Sequence, residues 1–238
     1  MMVLKHHSLE KSIRHSKKDA ICEVAPASFP INLKRCLFRS INASIFKDSP
    51  RHVAPGPICK EDSRQSVGLM AHSSLEIANE FLRLAKRDGV PLTQMQLQKL
   101  VYLAHGYFLA AHGEPLVEDN VEAWEYGTVF PKLRNATKIY GNVAISKSIK
   151  YGDELLFPRY SERQEAIADL TDNERATIDR VWAAYGKFAA FRLSAITHDP
   201  DGPWAAVYVK GRNRVIPDRR IQQYFQRMRA LNAHRRTA

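Results

Sequence analysis

The sequence has three cysteines in 238 residues, and all of them, Cys22, Cys36 and Cys59, lie before residue 70. The remainder of the chain therefore has no thiol for nucleophilic chemistry and no paired cysteines and histidines at metal-site spacing. A glycine-rich phosphate loop and a serine set between glycines are also missing. No apolar run approaches the roughly 18 residues that a spanning helix needs, so a membrane protein is excluded and the cytoplasm is the expected location. Catalysis would have to use scattered groups: His105, His198 with Asp199 and Asp201 beside it, and Glu122 or Glu125. His198-Asp-Pro-Asp could hold a hard metal ion, but Pro200 stiffens the backbone and no second ligand-bearing motif accompanies it; such a segment is more often a turn. The chain is thus expected to be no enzyme, with no catalytic residue, metal or cofactor.

What is present divides sharply near residue 70. Hydrophobic residues make up 45% and charged residues 26%, which suits one soluble domain with a real core and an appendage. Every tryptophan and tyrosine lies after residue 70. Residues 1–69 hold twelve basic and six acidic side chains, so they supply +6 of the net +11. Pro50, Pro55, Gly56 and Pro57 interrupt this basic segment. Its low aromatic content and scattered charge read as a largely disordered extension, with one apolar cluster at 33–46 that suits a short amphipathic helix. It can be read as a basic arm for nucleic acid or an acidic partner. The simpler reading is an upstream extension of the reading frame, with initiation at Met70. A targeting peptide fits less well, because the segment lacks a clean apolar core and keeps several acids. The folded domain is expected over 70–238.

From residue 73 the helical signals are regular. Ser73 with Glu76, Thr93 with Gln96 and Thr171 with Glu174 have capping-box spacing, each just ahead of an apolar pattern of helical period. The first helix should bury Ile77, Ala78, Phe81, Leu82 and Ala85 and stop at Gly89 and Pro91. The second should run towards Gly113 with Leu97, Leu100, Val101, Ala104 and Phe108 on one buried face, and the pair should pack as a hairpin. Beyond it, Glu122-Ala-Trp-Glu-Tyr-Gly-Thr-Val-Phe-Pro131 crowds two large aromatics, a glycine and a proline into a knuckle that periodicity does not explain. A shorter helix over 131–140 comes next, ended by Gly141. The stretch 143–160, with Ile145, Ile149 and Tyr151 in near alternation and Gly152-Asp153 as a turn, reads as a short hairpin or a loop. Later helices bury Ile178, Val181, Trp182 and Tyr185, span 188–197, and start at Pro217-Asp218 with Ile221, Tyr224, Phe225 and Met228 facing inward. The predicted fold class is mainly α, a compact bundle of about six helices with a small β-hairpin or loop insertion.

The central stretch resembles the Panacea domain family, the SocA-like antitoxins, first met as a phage-associated domain. The family pattern of a helix with Leu, Lys, Leu and Tyr is matched by Leu97, Lys99, Leu100 and Tyr102, followed by Phe108-Leu109. Its knuckle is matched by Ala123, Trp124, Gly127, Val129, Pro131 and Leu133. Thr128 stands where the family usually has proline, which removes one fixed φ angle. Thr197-His-Asp-Pro-Asp-Gly-Pro-Trp204 resembles the closing element, and the matches span 73–228. The resemblance implies a protein-interaction module: an antitoxin that binds and neutralises a co-encoded toxin. In one branch of the family the antitoxin also acts as an adaptor that hands the toxin to a AAA+ protease.

Candidate partner-binding residues are Lys99, Tyr102, Trp124, Tyr126, Arg134, His198 and Trp204. Core plugs are the simpler reading for Trp124 and Trp204, since each such ring can bury ~150 to 250 Å², whereas Tyr126 is left open. The alternative for all three is a groove with aromatic and arginine anchors. His105 lies beside the most apolar face, where a half-buried hydrogen-bonding role is usual; as a general base it lacks an evident carboxylate. Basic residues gather at Arg134, Lys138, Lys147 and Lys150 and again at Lys210, Arg212, Arg214, Arg219, Arg220, Arg227, Arg229, Arg235 and Arg236. The domain without its extension carries only +5. Such a run is usually a solvated face, and no helix-turn-helix pattern with a convincing recognition helix appears. A DNA-binding autoregulator is therefore the second reading, with weak or absent DNA binding expected.

Overall fold

Three capping boxes open three of the helices. In each, the side chain of Ser73, Thr93 or Thr171 accepts a first-turn N–H while Glu76, Gln96 or Glu174 reaches back to the cap backbone. The computed structural model describes residues 71–153 and 164–234. The described elements are α1 (Ser74–Asp88), α2 (Gln94–His112), β1 (Glu122–Trp124), β2 (Gly127–Val129), α3 (Pro131–Thr137), α4 (Asp172–Tyr185), α5 (Ala190–Thr197), β3 (Arg214–Val215) and α6 (Asp218–His234). A 3-10 turn (Lys138–Tyr140) continues α3 to Gly141. The extension expected over 1–69 lies outside the described residues, as does the last part of the segment expected to form a hairpin or loop over 143–160.

The organising element is α2. The periodicity predicts one buried face, yet every residue from 97 to 110 is buried. Neighbours explain this: α1, α3, α4, α5, α6 and β2 all pack on α2, so no side of it is left for water. The faces predicted for α4 and α6 hold, with Ile178, Val181, Trp182 and Tyr185 and with Ile221, Tyr224, Phe225 and Met228 all buried. Arg219, Arg220 and Arg227 lie on the exposed side of α6. Among the described residues, no helix is long and apolar enough to cross a membrane.

The β structure sits elsewhere than the alternation at 143–160 suggests. Residues 143–153 form a loop touched by single bridges, Thr93 to Ala144 and Lys150 to Glu165. A buried side chain of α1 supports this short pairing: Asn79 Nδ2 donates to the carbonyls of Ile149 and Ala166, and its Oδ1 accepts from the Ile149 N–H, all within 2.7–2.8 Å. The hairpin is the aromatic knuckle itself. β1 and β2 pair antiparallel, with Ala123 opposite Thr128 and Trp124 opposite Gly127, and β3 adds to the other edge of β1.

Candidate functional site

Buried polar residues on α2 hold this hairpin by its backbone. Gln98 is only 4% exposed; its Oε1 accepts from the Phe130 N–H at 2.9 Å and its Nε2 donates to the Phe130 carbonyl at 3.3 Å. One residue on, Lys99 Nζ donates to the carbonyls of Tyr126 at 3.1 Å and Thr128 at 2.9 Å. From the other side Ser194 Oγ also approaches the Tyr126 carbonyl, at 3.4 Å, and Trp204 Nε1 donates to the Trp124 carbonyl at 2.8 Å. A three-residue strand pair could not hold its shape alone; here side chains take up the carbonyls that its short ladder leaves over. Gly127, at φ 105°, makes the close approach possible. A Cβ there would lie 2.5 Å from Lys99 Nζ and 2.6 Å from His198 Cε1, and the left-handed φ would itself be strained for any other residue.

The clamped hairpin forms one wall of an open cleft of about 600 Å³. Its lining includes Lys99 of α2, Trp124 and Tyr126 of the hairpin, Arg134 of α3, and Tyr208 and Val209. Tyr126 is 69% exposed. Trp124 is half-buried, donates its Nε1–H to Glu122 at 2.7 Å, and carries the Arg134 guanidinium 4.9 Å above its ring. The core-plug reading of Trp124 is therefore corrected: the hairpin turns this ring outward, because the inward position of β1 belongs to the fully buried Ala123. Trp204 is partly buried against the core, stacked on Tyr208 at 4.5 Å. The His198 ring lies 4.3 Å from Trp204, and its Nδ1 must carry the proton, since it donates to the Ser194 carbonyl at 2.7 Å. Tyr102 does not reach the cleft: it is 2% exposed, edge-on to Phe225, and burial pushes its hydroxyl well above the usual tyrosine range. Lys99 is 1% exposed, and desolvation of the charged form lowers its amine to about 7.

One further group departs from the sequence reading, and one follows it. His105 is fully buried and finds the carboxylate that the sequence does not reveal: Nδ1 accepts from the Val117 N–H at 3.2 Å, which leaves Nε2 to donate to Asp218 at 3.2 Å. The partner is 113 residues away, so no local spacing could have signalled it. The fixed tautomer ties α2 to the start of α6. Asp199 accepts from the Asp201 N–H at 3.0 Å and from the Tyr224 hydroxyl at 2.9 Å. The His198-Asp-Pro-Asp segment is thus a turn that anchors α6, and among the described residues no cluster of three metal-ligating side chains occurs.

A family model described as "Antitoxin SocA-like, Panacea domain" matches residues 97–205. The chain is 34% identical over 138 residues to Antitoxin SocA of Caulobacter vibrioides (strain NA1000 / CB15N), an alignment that covers 55% of this chain and 68% of that protein. The chain belongs to the SocA-like Panacea family. No solved structure matches it. The Panacea pattern acquires a physical meaning in this fold. Lys99 is the hairpin's clamp, Ala123 its inward residue, Gly127 the point where the clamp presses, and Pro131 the first residue of α3, where its missing N–H costs nothing. At the position where the Panacea pattern usually has proline, Thr128 places a fully buried hydroxyl without a hydrogen-bond partner.

Proposed function

We propose that this Panacea protein is the antitoxin of a toxin–antitoxin pair: a non-catalytic interaction module that binds and neutralises a co-encoded toxin. Family membership motivates the reading, and the cleft's exposed chemistry carries it. A half-buried tryptophan under an arginine, beside a tyrosine that is 69% exposed, is the composition of an interface anchor. The test is genetic and then biochemical. A neighbouring reading frame should be toxic when expressed alone and harmless when expressed with this chain, and the two products should co-purify. Trp124→Ala with Tyr126→Ala should abolish rescue while leaving the protein folded. Rescue by a folded double variant at wild-type level would place the interface elsewhere.

Delivery of the toxin to a AAA+ protease is a finer form of the same proposal. It predicts that the toxin's half-life shortens when the antitoxin is present, and an unchanged half-life together with rescue would leave simple sequestration. The second reading, DNA binding by an autoregulator, draws on the exposed Arg219 and Arg220 of α6. Phosphate contacts of that kind make affinity fall steeply with salt, with each lost contact lowering the log-log slope by about one. We expect weak, sequence-indifferent, salt-sensitive DNA binding beside tight, salt-tolerant toxin binding. Nanomolar, sequence-selective operator binding at physiological salt would reverse the ranking.

A further inference from the structure

Among the described residues no lysine or arginine other than Lys99 is buried. An ammonium has three donors; Lys99 places two on hairpin carbonyls, and none of the ion pairs among the described residues includes it. Lys99 is one of the residues lining the cleft, and its third donor has no partner among the described residues. The cleft's other charged side chains are Arg134, Arg212 and Glu125, three cations against one carboxylate when Lys99 is charged. The walls of Trp124, Tyr126 and Val209 are largely apolar. Such a site repels a basic segment and suits an acidic residue carried on an apolar one.

We propose that the cleft receives an aspartate or glutamate side chain of the partner protein, its carboxylate on Lys99 Nζ and Arg134 and its apolar neighbour between Trp124, Tyr126 and Val209. The inference rests on the antitoxin reading and specifies its interface. An arriving carboxylate gives the buried ammonium the counter-charge that none of the described residues provides, so binding and protonation of Lys99 are coupled. In the free protein the amine titrates near 7, whereas the ion-paired amine must titrate higher. Beside the amine are the Tyr126 and Thr128 carbonyls from the hairpin and His198 from the end of α5, and lining the same cleft are Arg134 from α3, Glu125 from the turn between β1 and β2, and Tyr208 and Arg212 from the segment before β3. Lys99→Met tells whether the coupled proton belongs to this amine.

The experiment is calorimetric titration of the full chain with the product of the neighbouring toxic reading frame, between pH 7.5 and 9. The dissociation constant should weaken by roughly tenfold per pH unit. The slope should vanish in Lys99→Met and, independently, in one member of an Asp→Asn and Glu→Gln scan of the partner. Arg134→Ala leaves the hairpin clamps in place; it should weaken binding by about tenfold and keep the slope. Binding that is tight but independent of pH overturns the inference and leaves the antitoxin reading standing. A slope that no single acidic substitution in the partner removes overturns the acidic occupant, and unchanged binding by Arg134→Ala overturns the placement. Absence of binding at every pH defeats the antitoxin reading, and the inference with it.

Discussion

Phe225 of α6 lies over Gly106 of α2 so closely that a Cβ at that glycine would overlap the edge of its ring. The same ring stands edge-on to Tyr102 and Tyr107, at centroid distances of 5.9 and 4.9 Å. An alanine normally stabilises a helix interior by about 1 kcal/mol relative to glycine. Here overpacking, which typically costs about 1–3 kcal/mol, opposes that gain and should win, because Phe225 is enclosed and has nowhere to retreat. Gly106→Ala should therefore lower the denaturation midpoint, and Phe225→Ala should cost about 3–5 kcal/mol. A Gly106→Ala protein more stable than the parent would show that α6 can slide on α2.

Lys99 sets the pH dependence of stability on the alkaline side. Its folded value of about 7 is depressed from an ordinary 10.5. Below pH 7 both the folded and unfolded chains hold the proton, and the full penalty of burying the charge is present. Between pH 7 and about 10 the unfolded chain keeps a proton that the folded one has released, so stability should rise, by a few kcal/mol at most. Above pH 10 the trend should reverse, since burial raises the hydroxyls of Tyr102, Tyr107, Tyr185 and Tyr224 and the unfolded chain ionises them first. Denaturant midpoints across pH 6–11 test this. A flat profile between pH 7 and 9.5, or one that Lys99→Met leaves unchanged, would refute it.

Trp124 separates stability from binding. Because its ring is a wall of the cleft and not part of the core, Trp124→Ala should destabilise by only about 1–2 kcal/mol, below the 3–5 typical of a buried tryptophan. Toxin binding should fall by a hundredfold or more if the ring anchors the interface. Chemical denaturation and titration on the same variant decide the matter; a loss of more than about 4 kcal/mol would return Trp124 to the core.

Thr128 offers a stabilising substitution. Its hydroxyl is buried without a partner, and an orphaned polar group costs about 1–3 kcal/mol. Thr128→Val keeps the shape and removes the oxygen, while the backbone carbonyl still accepts from Lys99. The midpoint should rise or hold. A clear fall would mean that the hydroxyl has a water partner whose loss outweighs the relief.

The helices were legible from the sequence because their causes are local. A capping side chain and its N3 partner are three residues apart, and Gly89 and Gly113 end α1 and α2 in the left-handed conformation at the residue itself. The inward faces of α4 and α6 follow from the same short-range periodicity, and the Panacea motifs named the family. Three-dimensional packing decided what surrounds those motifs. Nothing near Lys99 in sequence says that a hairpin almost thirty residues on will lay its carbonyls on the amine, or that Trp204 will take the Trp124 carbonyl from eighty residues away. Nor could period 3.6 show that α2 is enclosed on every side, since a helix displays one apolar stripe or a full coat only in relation to its neighbours. Outward-facing Trp124 and buried Tyr102 exchanged the roles that their residue types suggest. Hydrophobicity is a property of a side chain, whereas exposure belongs to the position that the rest of the chain leaves it.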